Sequence, residues 1–222
     1  MEKKLVFKVR DDIDVYNDIL RYTDFLDCGA SKSAFAKDET CWKVPIGYEE
    51  LDSTSFTKTC EYPYEYKDFN NFIYNTVAEY HPELVWSIGQ IVFEVMVWEH
   101  LKELEQMGYD ISGFARISDY YVDKNGVPVI VQEYVHCDAE TRSKLPSVTA
   151  ALFDEQNKNV LNALEDMGFA LTDIRSGNMG YNQEGKLKCF DFGISHGNAI
   201  YDYDTYNDYC GGSYNSYDDE EY

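Results

Sequence analysis

The apolar positions of this chain change rhythm along its length. Up to residue 45 they come in short runs: Leu5-Val6-Phe7 with Val9, Ile19-Leu20 on to Phe25-Leu26, Ala34-Phe35-Ala36, and Cys41-Trp42 with Val44. Runs of this length between turn-forming residues predict strands over 5–9, 19–26, 34–36 and 41–45. The small residues Cys28-Gly29-Ala30-Ser31-Lys32-Ser33 read as a turn, Asp38-Glu39 as a hairpin turn, and Pro45-Ile46-Gly47 as the end of the last strand. From 83 to 107 the spacing becomes helical, with Ile88, Val92, Val95, Met96, Leu101 and Leu104 among the apolar positions and Gly108 as a stop. Two strand-like runs follow, over 114–122 and 127–135, joined by the hairpin signal Asp123-Lys124-Asn125-Gly126. A second helix is predicted over 147–167. Phe153, Val160, Leu164 and Met167 share its face, Ser147 is its N-cap and Gly168 follows its end. Beyond the polar loop 172–178 comes a short hairpin, 179–181 and 186–190, around Asn182-Gln183-Glu184-Gly185.

Two segments lack a clear rhythm. Residues 48–83, rich in Tyr, Glu, Thr and Asn, read as an irregular insertion with one helix at 69–80, and residues 201–222 as a weakly ordered acidic, Tyr-rich tail. The fold class is therefore α+β: a β-rich N-terminal lobe over 1–135 that contains the insertion, then a short helical C-terminal lobe over 136–200. The lobes join near 133–138, and a cleft between them is where a small ligand would bind.

Charge narrows the partners. Asp and Glu number 41 against 19 Lys and Arg, a formal charge of −22. Affinity for nucleic acid comes from cations that displace counterions, and the mean field here repels polyanions and anionic membrane surfaces alike. No stretch of about 18 uncharged apolar residues occurs, and Lys8 and Arg10 interrupt the only apolar run near the N-terminus, so neither a transmembrane helix nor a signal peptide is expected. The six cysteines are scattered without CxxC or zinc-type spacing, which suits reduced thiols in a cytoplasmic, intracellular protein. The four histidines show no ligand spacing and read as structural.

The informative constellation is Leu171-Thr172-Asp173-Ile174-Arg175-Ser176-Gly177-Asn178, followed across the hairpin by Asp191-Phe192-Gly193. An Asp five residues before an Asn, with an Asp-Phe-Gly after an intervening hairpin, resembles the catalytic loop and metal-binding triplet of the protein kinase-like phosphotransferase superfamily. Phosphoryl transfer needs hard oxygen ligands for Mg²⁺, which Asn178 and Asp191 supply. It also needs a carboxylate to orient the acceptor hydroxyl, which suits Asp173, and a cation near the transferring group, which suits Arg175.

The resemblance implies a two-lobed kinase-like fold with a truncated helical C-lobe, and it extends upstream. Cys41-Trp42-Lys43-Val44-Pro45 matches the strand that carries the nucleotide-binding lysine, making Lys43 the candidate, with Glu94 as its partner on the following helix and Glu99 and Glu83 as the other choices. Gly29, Ser31 and Ser33 stand where the family has its glycine-rich phosphate loop, of which Gly29 is the one glycine kept. The run from Val129 to Val135 resembles the strand entering the hinge, so the backbone of Glu133 and Val135 would meet the adenine edge. ATP and Mg²⁺ are the implied nucleotide and metal, and a protein hydroxyl is the implied acceptor.

Departures from the family are specific. Leu171-Thr172 replaces His-Arg, no Ala-Pro-Glu follows Asp191, and 29 residues remain after Gly193. A minimal, divergent member is implied, of a kind that viral or bacterial origin would fit; a viral member would work in the host cytoplasm. Three functions stay open: a phosphotransferase, foremost a protein Ser/Thr kinase; a pseudokinase-like module that binds a nucleotide or partner; and an acidic decoy for a basic protein surface. The tyrosines of the tail are a solubilising end, an autophosphorylation target or a flap over the cleft.

Overall fold

The computed structural model describes residues 3–28, 31–48, 61–65, 84–137, 149–169, 171 and 174–193. The predicted helix at 69–80, the N-cap Ser147 and the tail 201–222 lie outside them.

The chain begins with two short strands, β1 (Lys4–Val6) and β2 (Lys8–Arg10), where one was predicted. Leu5 and Phe7 are buried and Val6 is exposed, so the inward–outward alternation holds as far as Phe7 and ends at Val9, which is exposed. What changes at Phe7 is the hydrogen-bonding partner. Its ring meets Tyr62 and Tyr120 edge-on, both at 5.0 Å. The predicted strand over 19–26 also differs. Val15–Ile19 is a π-helical turn and Leu20–Tyr22 a 3-10 turn, so the strand β3 covers only Asp24–Cys28. The cause is local capping. Asn17 donates its backbone N–H and its side-chain amide to Asp14, each at 3.0 Å, and the Asp14 N–H donates to the Asp18 carboxylate at 2.7 Å. This reciprocal cap stabilises a helical turn that apolar spacing does not reveal.

Strands β4 (Lys32–Lys37) and β5 (Thr40–Pro45) form the expected hairpin, with Asp38 taking the left-handed conformation at φ 53°. Lys32 and Ser33, read from sequence as part of a turn, belong to β4. After β6 (Glu61–Pro63) come the long helix α1 (Val85–Gln106) and the hairpin of β7 (Ile117–Asp123) and β8 (Pro128–Glu133). One sheet of six strands has the order β2-β7-β8-β5-β4-β3; only the β2–β7 pair is parallel. β1 pairs separately with β6. The second helix, α2, is Thr149–Asp166, and both helices stop ahead of a glycine at positive φ, Gly108 at 94° and Gly168 at 92°.

Helix α1 is the centre of the core. Ile88, Ile91, Val92, Phe93, Val95, Met96, Val97 and Leu101 are all fully buried. A helix that is apolar nearly all round must be covered on more than one side. The sheet, through β4, β5, β7 and β8, covers one side, and α2 packs on another. On α2 the predicted face is followed in part: Phe153, Val160 and Leu164 are buried, whereas Met167 is exposed just past the last turn. The terminal hairpin, β9 (Met179–Tyr181) and β10 (Leu187–Cys189), is tied to the sheet region at two points. Ala115 donates to the Cys189 carbonyl and Cys189 to the Gly113 carbonyl, both at 2.8 Å, and His136 donates to the Tyr181 carbonyl at 2.9 Å. A continuous apolar cluster runs from Leu5 to Phe192. No helix of the described residues is long and apolar enough to cross a membrane.

Asp123, nearly fully buried, closes the β7–β8 turn by accepting from the N–H groups of Asn125 (2.9 Å) and Val127 (2.8 Å), and reaches back to the N–H of Val15 (2.9 Å). Replacing it with Ala leaves buried donors without a partner, at a cost of about 1–3 kcal/mol each in the worst case. Urea unfolding of Asp123→Ala is therefore expected to lose at least about 2 kcal/mol. A loss within 0.5 kcal/mol of zero, typical of a surface change, would show that the turn does not depend on this side chain.

Candidate functional site

Two lysines of the β4–β5 hairpin point at one glutamate of α1. Lys43 on β5 lies directly opposite Ala34 on β4, and Lys32 is two residues before Ala34. Side chains two apart on a strand share a face, so Lys32 and Lys43 are diagonal neighbours on the side that α1 covers. Small Ala34 and Ala36 leave that face open to the helix. Lys43 Nζ donates to Glu94 Oε1 at 2.6 Å, and Lys32 Nζ to Glu94 Oε2 at 2.6 Å. Glu94 has no exposed surface and both lysines are buried. A carboxylate removed from water costs several kcal/mol unless it is paired and hydrogen-bonded, and here each oxygen has its own ammonium.

The network continues to the far end of the chain. Lys32 Nζ also donates to Asp191 Oδ1 at 2.6 Å, and Lys43 Nζ donates to the backbone carbonyl of Phe190. The row Lys43, Glu94, Lys32, Asp191 alternates in sign and sums to zero. Its open end is Asp191, whose side chain is 27 % exposed where the other three are almost fully buried. Burial opposes ionisation of Asp191, but Lys32, Lys43 and Arg175 outweigh it and hold the carboxyl below its ordinary range. Burial likewise pushes the Lys32 ammonium down, and Asp191 and Glu94 more than compensate, so it remains charged. The nearby thiols of Cys41 and Cys189 are raised by burial, Cys41 to about 11, so neither is a nucleophile at neutral pH.

Asp191 is held in position by its neighbours. Phe192 is fully buried and packs edge-on against Phe114 at 5.7 Å. Gly193 lies against α1 so closely that a Cβ would come 2.5 Å from Gln90 Oε1. Asn178, buried at the end of the 3-10 turn Ser176–Asn178, accepts from the N–H of Phe190 at 3.0 Å, which joins the loop to the residue before Asp191. Arg175, exposed at the N-cap of that turn, is close enough to act on the Asp191 carboxyl.

The remaining predicted residues are more scattered. Gly29 and Asp173 lie outside the described residues, as does Glu83. Ser31 and Ser33 are buried at the start of the β4 region, where the Ser31 carbonyl accepts from Ile46 at 3.0 Å. Glu133 ends β8. Its N–H donates to the Arg116 carbonyl at 2.8 Å, and its carboxylate accepts from Asn182 Nδ2 at 2.7 Å and from the Arg116 N–H at 3.1 Å. Val135 is buried just beyond it. Glu99 belongs elsewhere, with Tyr120 and Lys102. Sequence reasoning passed over Lys32. Lys32 stands in the small-residue run that reads as a turn, two residues ahead of the predicted strand 34–36, whereas β4 starts at Lys32 and its register puts Lys32 and Lys43 on one face.

Asp191 and Asn178 offer the hard oxygen donors that Mg²⁺ prefers, and such a metal commonly takes only one or two protein ligands beside substrate phosphates. Among the described residues no group of three or more His, Cys, Asp and Glu is arranged to hold a metal by itself. A cavity of about 710 Å³, lined in part by Lys8, Trp98, Lys102, Arg116 and Lys188, includes none of the four charged residues.

No family model and no curated protein sequence matches the chain. Among solved structures it is similar to Rad53 1-466 in complex with AMP-PNP, at 13% identity and a TM-score of 0.40, over 86% of this chain and 42% of that one. It is also similar to WbdD co-crystallised with the kinase inhibitor LY294002, at 16% identity and a TM-score of 0.30, over 76% of this chain and 32% of that one. The chain thus spans less than half the length of either.

Glu94→Gln removes the anion between two buried ammonium groups. Breaking a buried pair on one side typically costs about 3–5 kcal/mol, so denaturant unfolding should show a loss of that order. Adding Lys32→Met to the Glu94→Gln protein should recover part of it, because the like-charge contact is relieved. Additive losses in the double mutant would show that Lys32 and Glu94 are not energetically coupled.

Proposed function

We propose that the chain is an ATP- and Mg²⁺-dependent phosphotransferase of the protein kinase-like superfamily, acting on Ser or Thr hydroxyls of a protein acceptor in a reducing, intracellular compartment. The observation that carries this reading is the buried Lys43–Glu94 pair, joined through Lys32 to Asp191 beside the Asn178 loop. A structural ion pair alone needs no carboxylate left partly open to solvent at the end of the row; a phosphate and metal site does.

In this reading 1–135 and 136–200 form the two lobes, and the nucleotide enters between them. Its adenine edge meets the backbone of Glu133 and Val135. The N–H of Glu133 donates to the Arg116 carbonyl, so in this reading the base would meet the Glu133 carbonyl and the Val135 N–H. Backbone amides ahead of β4, from Gly29 to Ser31, approach the phosphates, and Lys43, held straight by Glu94, neutralises their charge; Ser33 is paired within the sheet and is left out of this contact. Asp191 and Asn178 would hold the metal, which would offset the negative charge of the phosphates. Asp173 orients the acceptor hydroxyl and takes its proton. The hydroxyl oxygen bonds to the terminal phosphorus as the bond to the bridging oxygen breaks and ADP leaves. Arg175 offsets charge on the group in transit.

The second reading, a nucleotide-binding module without transfer, draws support from Lys32, whose ammonium already claims Asp191. Incubation of the purified chain with γ-labelled ATP and a mixed protein acceptor separates the two. An enzyme transfers label to the acceptor or to itself, and Asp173→Asn, Lys43→Met and Asp191→Ala each lower transfer at least about 100-fold, the scale at which acid–base and electrostatic groups act. Label transfer that survives Asp191→Ala unchanged would overturn the assignment. Nucleotide binding without transfer would favour the module.

A further inference from the structure

Lys32 has no part in the roles assigned above, yet it is one of the most constrained side chains in the molecule. It is 7 % exposed, and its ammonium lies 2.6 Å from both Glu94 Oε2 and Asp191 Oδ1. Glu94 does not require it for neutrality, because Lys43 already supplies one positive charge at 2.6 Å. Without Lys32 the charged row would carry one net negative charge, located at its solvent-open end. Lys32 therefore cancels the charge of Asp191, the same charge that a divalent cation would use.

We propose that Lys32 is a resident counter-cation that competes with the divalent metal for the Asp191 carboxylate, so that metal enters only as Lys32 gives up Oδ1. The proposal rests on the reading of Asp191 as the metal carboxylate. It follows from geometry: while Lys32 keeps its 2.6 Å contact to Oδ1, a metal ion on either oxygen of the Asp191 carboxylate would stand within a few ångström of the ammonium, and two cations that close repel each other. Lys32 does not leave the protein when it yields. Glu94 still holds it, and its ammonium remains beside the site, where the negative phosphates of an incoming nucleotide would compensate its lost partner. Metal binding without nucleotide is thereby suppressed, and metal binding with nucleotide is favoured.

The test uses the full chain and Mn²⁺ alone, followed by loss of the free-ion electron paramagnetic resonance signal, with no nucleotide present. Lys32→Met, in which Glu94 remains paired with Lys43, should bind Mn²⁺ on the order of tenfold more tightly than the wild type. Lys32→Arg, which keeps the charge, should resemble the wild type, and Asp191→Asn in the Lys32→Met background should abolish the gain. Unchanged Mn²⁺ affinity in a folded Lys32→Met protein, with wild-type nucleotide binding still dependent on both metal and Asp191, would overturn the competition while leaving the nucleotide site intact. Failure of every variant to bind Mn²⁺, together with nucleotide binding indifferent to metal, would overturn the metal role of Asp191 and the competition with it. Should Lys32→Met not fold, Lys32→Gln replaces it, and a structure of the wild type with Mn²⁺ and AMP-PNP decides directly: Lys32 Nζ must have left Asp191 Oδ1, and retention of that contact beside a bound metal overturns the proposal.

Discussion

Glu94 stands with no exposed surface in the middle of the most apolar helix of the chain, and a carboxylate there is tolerable only with cations at contact distance. That requirement links parts of the sequence far from one another. It draws Lys32 and Lys43 from the first hairpin onto the face covered by α1, and through Lys32 it draws in Asp191, which lies 159 residues from its partner. The apolar environment that makes the pair costly also strengthens it, since few waters remain to screen the charges. Removing Glu94 alone would leave two buried ammonium groups uncompensated, whereas replacing the whole group of Glu94 and its lysines by packed hydrophobic residues is the kind of change that is often neutral or stabilising.

One row of four charges within the site balances, in a chain that is globally very acidic. Against a formal charge of −22, the row Lys43, Glu94, Lys32 and Asp191 sums to zero. A chain that repels polyanions as a whole can still accept a small polyanion if cations are gathered at one buried point and the surrounding carboxylates are screened by solvent. Placement of Lys32 and Lys43 at diagonal positions of one hairpin gathers two positive charges, and Arg175 adds a third near Asp191.

Secondary structure was legible where a single rhythm governed a segment. The 84–107 region, the β7–β8 hairpin with its Asp123 turn, α2 and the β9–β10 hairpin follow from spacing and turn residues. The reading failed where side-chain hydrogen bonds compete with apolar spacing: the caps of Asp14 and Asp18 make helical turns of a segment that reads as a strand. It failed again at Phe7, where the pairing partner changes, because alternation reports which face is buried and not which strand is adjacent.

For the charged site, the amino-acid sequence determined the types of group and their local spacing: a lysine in an apolar strand, a glutamate inside an apolar helix, and the Asp-Phe-Gly after a hairpin. The tertiary structure decided which opposite charges meet, that Glu94 rather than Glu99 receives both lysines, and that Asp191 is the open end of the row. The physical reason is range. Periodicity and turn chemistry act over a few residues, whereas the pairing of buried charges is fixed by which surfaces are desolvated together when the sheet, α1 and the terminal hairpin pack.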